Sequence, residues 1–321
     1  MGLRYESGAD YTVFLTDEDD RLLGTGSLAG NVIKYVAVDD SLQGEGGAAA
    51  IVSRLVQHAY LSGRRKLFLF TKPRNEFLFR SLGFFPVAET QSVLFMENSR
   101  RGLKNYLDSL ERGEGVQGAV VANCNPFTLG HLYLMERAAS MVDTLHVFIV
   151  SEDRSFFSFE ERFMLAKQGT AHIKNLLLHE SGDYMISHAT FPTYFLKDRE
   201  HARAANAELD LVLFSERIAP ALGITKRFVG TEPFSPLTRK YNELMKAVLP
   251  RYGVEVVELE RTGGISATLV RKAIIEGDPG AAKALVPETT FNYIMKKFGA
   301  ESPDAEITET GTAPEGPDRE G

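Results

Sequence analysis

Thr128 and His131 stand three residues apart in Ala122-Asn123-Cys124-Asn125-Pro126-Phe127-Thr128-Leu129-Gly130-His131, a run that follows an apolar stretch and opens a helical pattern. That spacing puts both side chains on one face of the first helical turn. Gly130 between them leaves the backbone open to close approach, and the free N–H groups of a helix N-terminus favour an anion there. Far downstream, Gly263-Gly264-Ile265-Ser266-Ala267-Thr268-Leu269-Val270-Arg271 repeats the device, a glycine turn entering a helix for which Ser266 is the expected cap. Arg271 then projects from the first turns, and a guanidinium presents a fixed fork of donors to phosphate oxygens. The expected chemistry is nucleotidyl transfer on a triphosphate, with His131, Thr128 and Arg271 catalytic. Asn123, Asn125, Pro126, Phe127, Gly130, Ile265, Ser266 and Thr268 are the expected contacts to that triphosphate.

Further candidates lie between the two segments. Arg154, in the loop Ser151-Glu152-Asp153-Arg154, is read either as a phosphate contact or as a solvated loop charge. Ser158 and Glu161 have capping-box spacing and are expected to be structural. Gly230 and Thr231 end the strand-like Arg227-Phe228-Val229, where open α/β sheets place ligands. Glu232 beside them reads equally well as a surface residue. Cys124 reads as a small buried residue, because nothing basic in the local sequence lowers its pKa.

The elements that must position these residues alternate strand and helix. GAVVAN, a helix from His131 to Ala139, LHVFIV and a helix from Phe159 to Gln168 predict βαβ units on a parallel sheet. RFVGT and VEVVELE are further strands, with helices near 239–248, 267–276 and 288–297. Before them, YTVFL, RLLGTGSLA and NVIKYVAV predict a small antiparallel sheet, with Ile33, Tyr35 and Ala37 on one face of the third strand. A helix with Ile51, Leu55, Val56 and Tyr60 on one face follows, then KLFLFT, a short helix from Glu76 to Leu82, FFPVAE and SVLFME.

The paired segments resemble the T/H-x-G-H and I-S-S/A-T-x-x-R signatures of the nucleotidylyltransferase superfamily; taken alone, Thr-x-Gly-His is better read as a helix start with a capping Thr. Thr128 stands where the superfamily usually has its first His. Gln43-Gly44-Glu45-Gly46-Gly47-Ala48, before the first helix, resembles the pyrophosphate loop of the GNAT-type acetyltransferase fold. The stretch Phe77-Leu78-Phe79-Arg80-Ser81-Leu82-Gly83-Phe84 resembles that fold's last helix and turn. Gln43, Gly44, Gly46, Gly47 and Ala48 are therefore expected to hold a CoA-like arm. With VANCNPFTLGH, RFVGTEPFSPLTRKYNELM and GGISATLVRKAI in this order, the chain to about residue 299 is similar to the citrate (pro-3S)-lyase ligases.

The resemblance implies an α/β protein in two domains: a GNAT-like domain over 1–97, its opening strand and helix shortened or missing, and a Rossmann-like nucleotidylyltransferase domain over 116–299. Residues 98–115 connect them, and the acidic 300–321 is expected to be disordered. It also implies activation of acetate as acetyl-AMP from ATP, with Mg²⁺, and acetylation of the thiol on citrate lyase's acyl carrier subunit. A competing reading is a cofactor adenylyltransferase, making dephospho-CoA or a dinucleotide, fused to a GNAT-like binding module.

Composition narrows the class. The 321 residues are 44% hydrophobic and 25% charged, with a net charge of −7. Glu301 to Gly321 supplies −6 of that, leaving a body near neutrality and without the basic excess of a nucleic-acid binder. No apolar run approaches the ~20 residues of a membrane span, and no signal-peptide pattern opens the chain, so the expected location is the cytoplasm. One cysteine and no Cys/His pairing at metal-site spacing predict neither an internal disulfide nor a protein-held metal.

Overall fold

The apolar runs at the start of the chain, separated by Asp- and Gly-rich turns, form an antiparallel meander of β1 (Tyr11–Thr16), β2 (Leu22–Ala29) and β3 (Val32–Val38). In the computed structural model, which describes residues 8–42, 46–151, 155–185, 199–232, 235–261 and 263–299, the meander is followed by α1 (Gly47–Leu61) and β4 (Phe68–Thr71). Then come α2 (Glu76–Ser81), β5 (Phe85–Glu89) and β6 (Leu94–Glu97), completing a six-stranded sheet of order β1-β2-β3-β4-β6-β5. β3 and β4 pair in parallel only through Val32–Phe68 and Ile33–Leu69, and the two strands part beyond that point. Ile51, Val52, Leu55 and Ala59 of α1 pack on Leu28, Ile33 and Leu69. A Cβ at Gly26 would stand 2.5 Å from the Ile51 side chain, so the helix rests directly on β2.

Two expectations for this half need correction. Tyr60 is 53% exposed: at about 100° per residue it lies half a turn from Ile51, and Ala59 takes the inward position. In β3, Tyr35 adopts φ 58°, and the β2–β3 register shifts between Thr25 and Ser27. The bulge reverses the alternation, so Ile33 before it and Val36 and Val38 after it all face α1.

α3 (Gly102–Ser109) leads into a second sheet made of β7 (Gln117–Ala122), β8 (Thr144–Ile149), β9 (Leu176–Glu180), β10 (Ile224–Gly230) and β11 (Glu255–Leu259). All its pairs are parallel and the order is β11-β10-β7-β8-β9. The chain thus runs outward through β8 and β9, then returns to build β10 and β11 on the other side of β7. Between β7 and β10 lies the switch point, where adjacent connections leave a crevice at the carboxyl ends. α4 (Leu129–Ala139) and α5 (Phe159–Gly169) cover one face. α6 (Arg199–Leu213), α7 (Ala219–Leu222) and α8 (Pro236–Val248) cover the other. α9 (Ala267–Ile275) and α10 (Glu288–Phe298) close the end beside Phe157.

The sheets do not sit apart. Phe68, Phe70 and Phe95 of the first share a core with Tyr184, Leu209 and Leu213 of the second half. Inside that join the Tyr184 hydroxyl donates to Glu97 at 2.7 Å, and Lys66 pairs with Asp183 at 2.8 Å. No helix among the described residues is long and apolar enough to cross a membrane.

Candidate active site

The crevice holds a cavity of about 540 Å³ lined by the start of α4, the ends of β10 and β11, and the start of α9. That volume lies within the ~300–1,000 Å³ of small-molecule sites. Thr128, Gly130, His131, Gly230, Ile265, Ser266 and Thr268, drawn from three separate stretches of sequence, all line it. Gly263 and Gly264 reach the start of α9 through successive left-handed conformations, φ 63° and 67°, which only glycine adopts without strain. Ser266 then caps that helix by accepting from the Leu269 amide, as the sequence predicts.

Thr128 is the N-cap of α4 and accepts from the His131 amide at 3.3 Å. The Thr128 amide in turn donates to His131 Nδ1 at 3.1 Å, closing a reciprocal capping box. With Nδ1 accepting, the ring proton is on Nε2, and the neutral imidazole is a hydrogen-bond donor. Burial, with the nearby Arg261 charge, pushes the His131 pKa down to about 4, which keeps the ring neutral at physiological pH. Gly130 carries no packing need: a Cβ there would meet Ile265 O only at 3.5 Å, an ordinary contact.

Other expected residues are placed in the frame around the cavity. Asn123 Oδ1 and its carbonyl accept from the fully buried Arg162, which also donates to Val150 O and Phe157 O. Asn125 Oδ1 accepts from the Phe157 amide, Pro126 follows a cis peptide bond, and Phe127 is fully buried. Arg271 donates to Asn125 O and to Thr268 Oγ1, bracing the first signature against the second. It does not line the cavity in this arrangement. Thr231 accepts from the Arg261 amide at 3.1 Å. Cys124 is buried and its thiol is pushed up to about 12 by desolvation, in keeping with an inert residue. Ser158 and Glu161 form the expected capping box on α5. Arg154, Gln43 and Gly44 lie outside the described residues; Gly46, φ 84°, precedes an α1 start that has no side-chain cap, with Gly47 and Ala48 in its first turn.

Sequence reasoning missed the cation that lines the cavity. Arg261 lies over Gly230 and pairs at 2.7 Å with Glu232, whose side chain is 6% exposed. Glu232 is thus a buried member of the site rather than a surface residue. Arg162 was missed as well, although it ties the ends of β7 and β8 to the start of α5. Among the described residues no group of three or more His, Cys, Asp or Glu side chains is arranged to hold a metal ion.

The family described as citrate lyase ligase C-terminal domain matches residues 117–294. A citrate (pro-3S)-lyase ligase of Klebsiella pneumoniae is 47% identical over 88% of this chain and 86% of its own length. That of Escherichia coli K12 is 40% identical over 91% of this chain and 87% of its own. Among solved structures, Thermotoga maritima TmcAL bound with α-thio ATP is similar over 57% of this chain and 56% of that chain, with 16% identity and a TM-score of 0.38. Identity of this level across nearly the full length of both proteins, on top of the family match, means that the chain belongs to the citrate lyase ligase family.

Proposed function

We propose that this chain is an acid–thiol ligase that uses ATP to activate acetate as acetyl-AMP and passes the acetyl group to the thiol on the prosthetic arm of citrate lyase's acyl carrier subunit, in the cytoplasm. The observation that carries this reading is the convergence of two helix N-termini, one with Gly130 in its first turn and one entered through Gly263 and Gly264, on one cavity at the switch point of the parallel sheet. The phosphate chain lies against the starts of α4 and α9, where free backbone amides favour an anion. His131 donates Nε2–H to a phosphate oxygen, and Thr128 fixes that ring through the capping box. Arg271, already braced on Asn125, adds positive charge from the edge. Magnesium comes as part of the MgATP substrate, held chiefly by phosphate oxygens and water.

Acetate oxygen attacks the α-phosphorus in line, the bond to the bridging oxygen of pyrophosphate breaks, and the site stabilises the charge that gathers there. The thiol then attacks the acetyl carbonyl, forming the thioester and releasing AMP. The residue 43–48 loop at the open start of α1 holds the arm's pyrophosphate, which assigns residues 1–97 to the arm and 116–299 to adenylation. Acetate-dependent ATP–pyrophosphate exchange tests the reading: it is expected in the unaltered chain and lost in His131→Ala. Exchange at the normal rate in that variant would falsify the role of His131. An adenylylated phosphopantetheine or mononucleotide in place of AMP would instead point to a cofactor adenylyltransferase.

A further inference from the structure

On a chain whose net charge is −7, the turn after α1 and the turn after β6 bring Arg64, Arg65, Lys66, Arg100, Arg101 and Lys104 together. Asn98 builds this junction: its Oδ1 accepts from the Leu67 amide at 2.8 Å and its Nδ2 donates to Arg65 O at 3.0 Å. Three of the cations are spoken for by Asp10, Asp183 and Asp108. Arg65, Arg100 and Arg101 are exposed, and among the described residues no carboxylate pairs with any of them. Arg100 is steadied over the Phe85 ring at 4.8 Å, and Arg101 stands at the start of α3. Asp108, which lies near Arg101, is already paired with Lys104. Exposed guanidinium groups with no ion-paired carboxylate complement an anionic surface.

The patch also lies on the useful side of the molecule. Lys66 reaches Asp183, and Tyr106 of α3 donates to Glu180 O, so the patch abuts the carboxyl end of β9. In the strand order the ends of β10 and β11 that line the cavity lie three and four strands from β9. At about 4.8 Å between strands, that is a span of about 14–19 Å, the order of an extended prosthetic arm.

We infer that this arginine patch is the docking surface for an acidic face of the carrier subunit that bears the thiol. The inference rests on the ligase reading and adds to it where the protein substrate sits. Such a surface acts through long-range charge, so it governs encounter and affinity for the carrier without touching adenylation.

The test uses the full chain with Arg65→Glu and Arg101→Glu together, reading two rates: carrier-free, acetate-dependent ATP–pyrophosphate exchange, and acetylation of the deacetylated carrier. Exchange is expected to stay within about twofold while KM for the carrier rises about tenfold or more, and the unaltered chain's carrier KM should climb with salt. Intact exchange with an unchanged carrier KM overturns the docking surface. Absence of exchange in the unaltered chain sinks the ligase reading and the docking inference with it. If charge reversal impairs folding, Arg65→Gln with Arg101→Gln replaces it; a rise of a few-fold with a shallower salt dependence supports the surface, and no change overturns it.

Discussion

At Gly130 the needs of the fold and the needs of the ligand point in opposite directions, which makes the residue a sharp probe. It is the second residue of α4, and the space for a Cβ is there, with Ile265 O at 3.5 Å. Glycine inside a helix costs about 0.5–1 kcal/mol relative to alanine, so Gly130→Ala should melt at the same temperature or higher. The added methyl would nevertheless enter the cavity that the proposed function gives to the phosphates, and KM for ATP should rise about tenfold, or about 1.4 kcal/mol. A stable variant with unaltered KM would move the nucleotide elsewhere. His131 makes a second residue-scale prediction. Its folded pKa of about 4 lies below the ordinary 6.5, so the neutral donor persists across the physiological range. The pH profile of exchange should therefore lack a His131 limb near 6.5 and fall only as the pH drops towards 4, when protonation of Nδ1 takes away the acceptor of the Thr128 amide. A limb near 6.5 that disappears in His131→Asn would contradict the neutral ring.

Elements bring their own titrating pair. His146 of β8 and His179 of β9 meet at 2.9 Å, and His146 Nε2 donates to Gln117 of β7 at 2.6 Å, so His146 Nδ1 must accept from His179. Both rings are neutral in the fold, burial pushing each down to about 4. Unfolded histidines take up protons from about 6.5, so between 6.5 and 4 the unfolded chain binds more protons. Stability is then complete above 6.5 and declines as the pH falls through that window. Urea titrations at pH 7.5 and 5.5 should show the loss, and His179→Phe should make the slope shallower. The pair also illustrates what sequence can carry. Strongly patterned strands and capped helices, such as β7, β8, α5 and α9, are legible because their cause is local. β9 is five residues long, and its short apolar run fits a helix as readily as a strand, so it went unread despite the Ser181-Gly182-Asp183 turn after it. The reversal at Tyr35 cannot be seen in an alternating VIKYVAV. Likewise Thr128, His131 and Ser266 announce themselves by type and spacing, whereas Arg261 follows Glu258 and Glu260 in a way that reads as solvated charge. Only the return of β10 beside β11 gives it Glu232 and a cavity to face.

For the molecule as a whole, the question is whether the two sheets fold as one. Glu97 ends β6, is 3% exposed, and accepts both the Tyr184 hydroxyl at 2.7 Å and the Leu103 amide at 2.9 Å. Burial and the neighbouring carboxylate push the Tyr184 phenol up, so it stays a donor to Glu97 rather than a second anion. Around this bond Phe68 meets Tyr184 edge-on, and Leu209 and Leu213 complete an apolar core that belongs to neither sheet alone. Tyr184→Phe keeps the packing and takes away the hydroxyl, leaving a buried carboxylate oxygen unpaired, at a cost of about 1–3 kcal/mol. If the join is cooperative, that loss is shared by the whole chain. Tyrosine fluorescence and far-ultraviolet dichroism should then give one coincident denaturant transition, shifted as a unit in the variant. Two separated transitions, with only one moved by the substitution, would mean that the halves are independent bodies. In that case the span from the patch, whose Arg65 belongs to the first half and whose Lys66 reaches the second through Asp183, to the cavity would no longer be fixed, and neither would the distance from the start of α1 to the cavity.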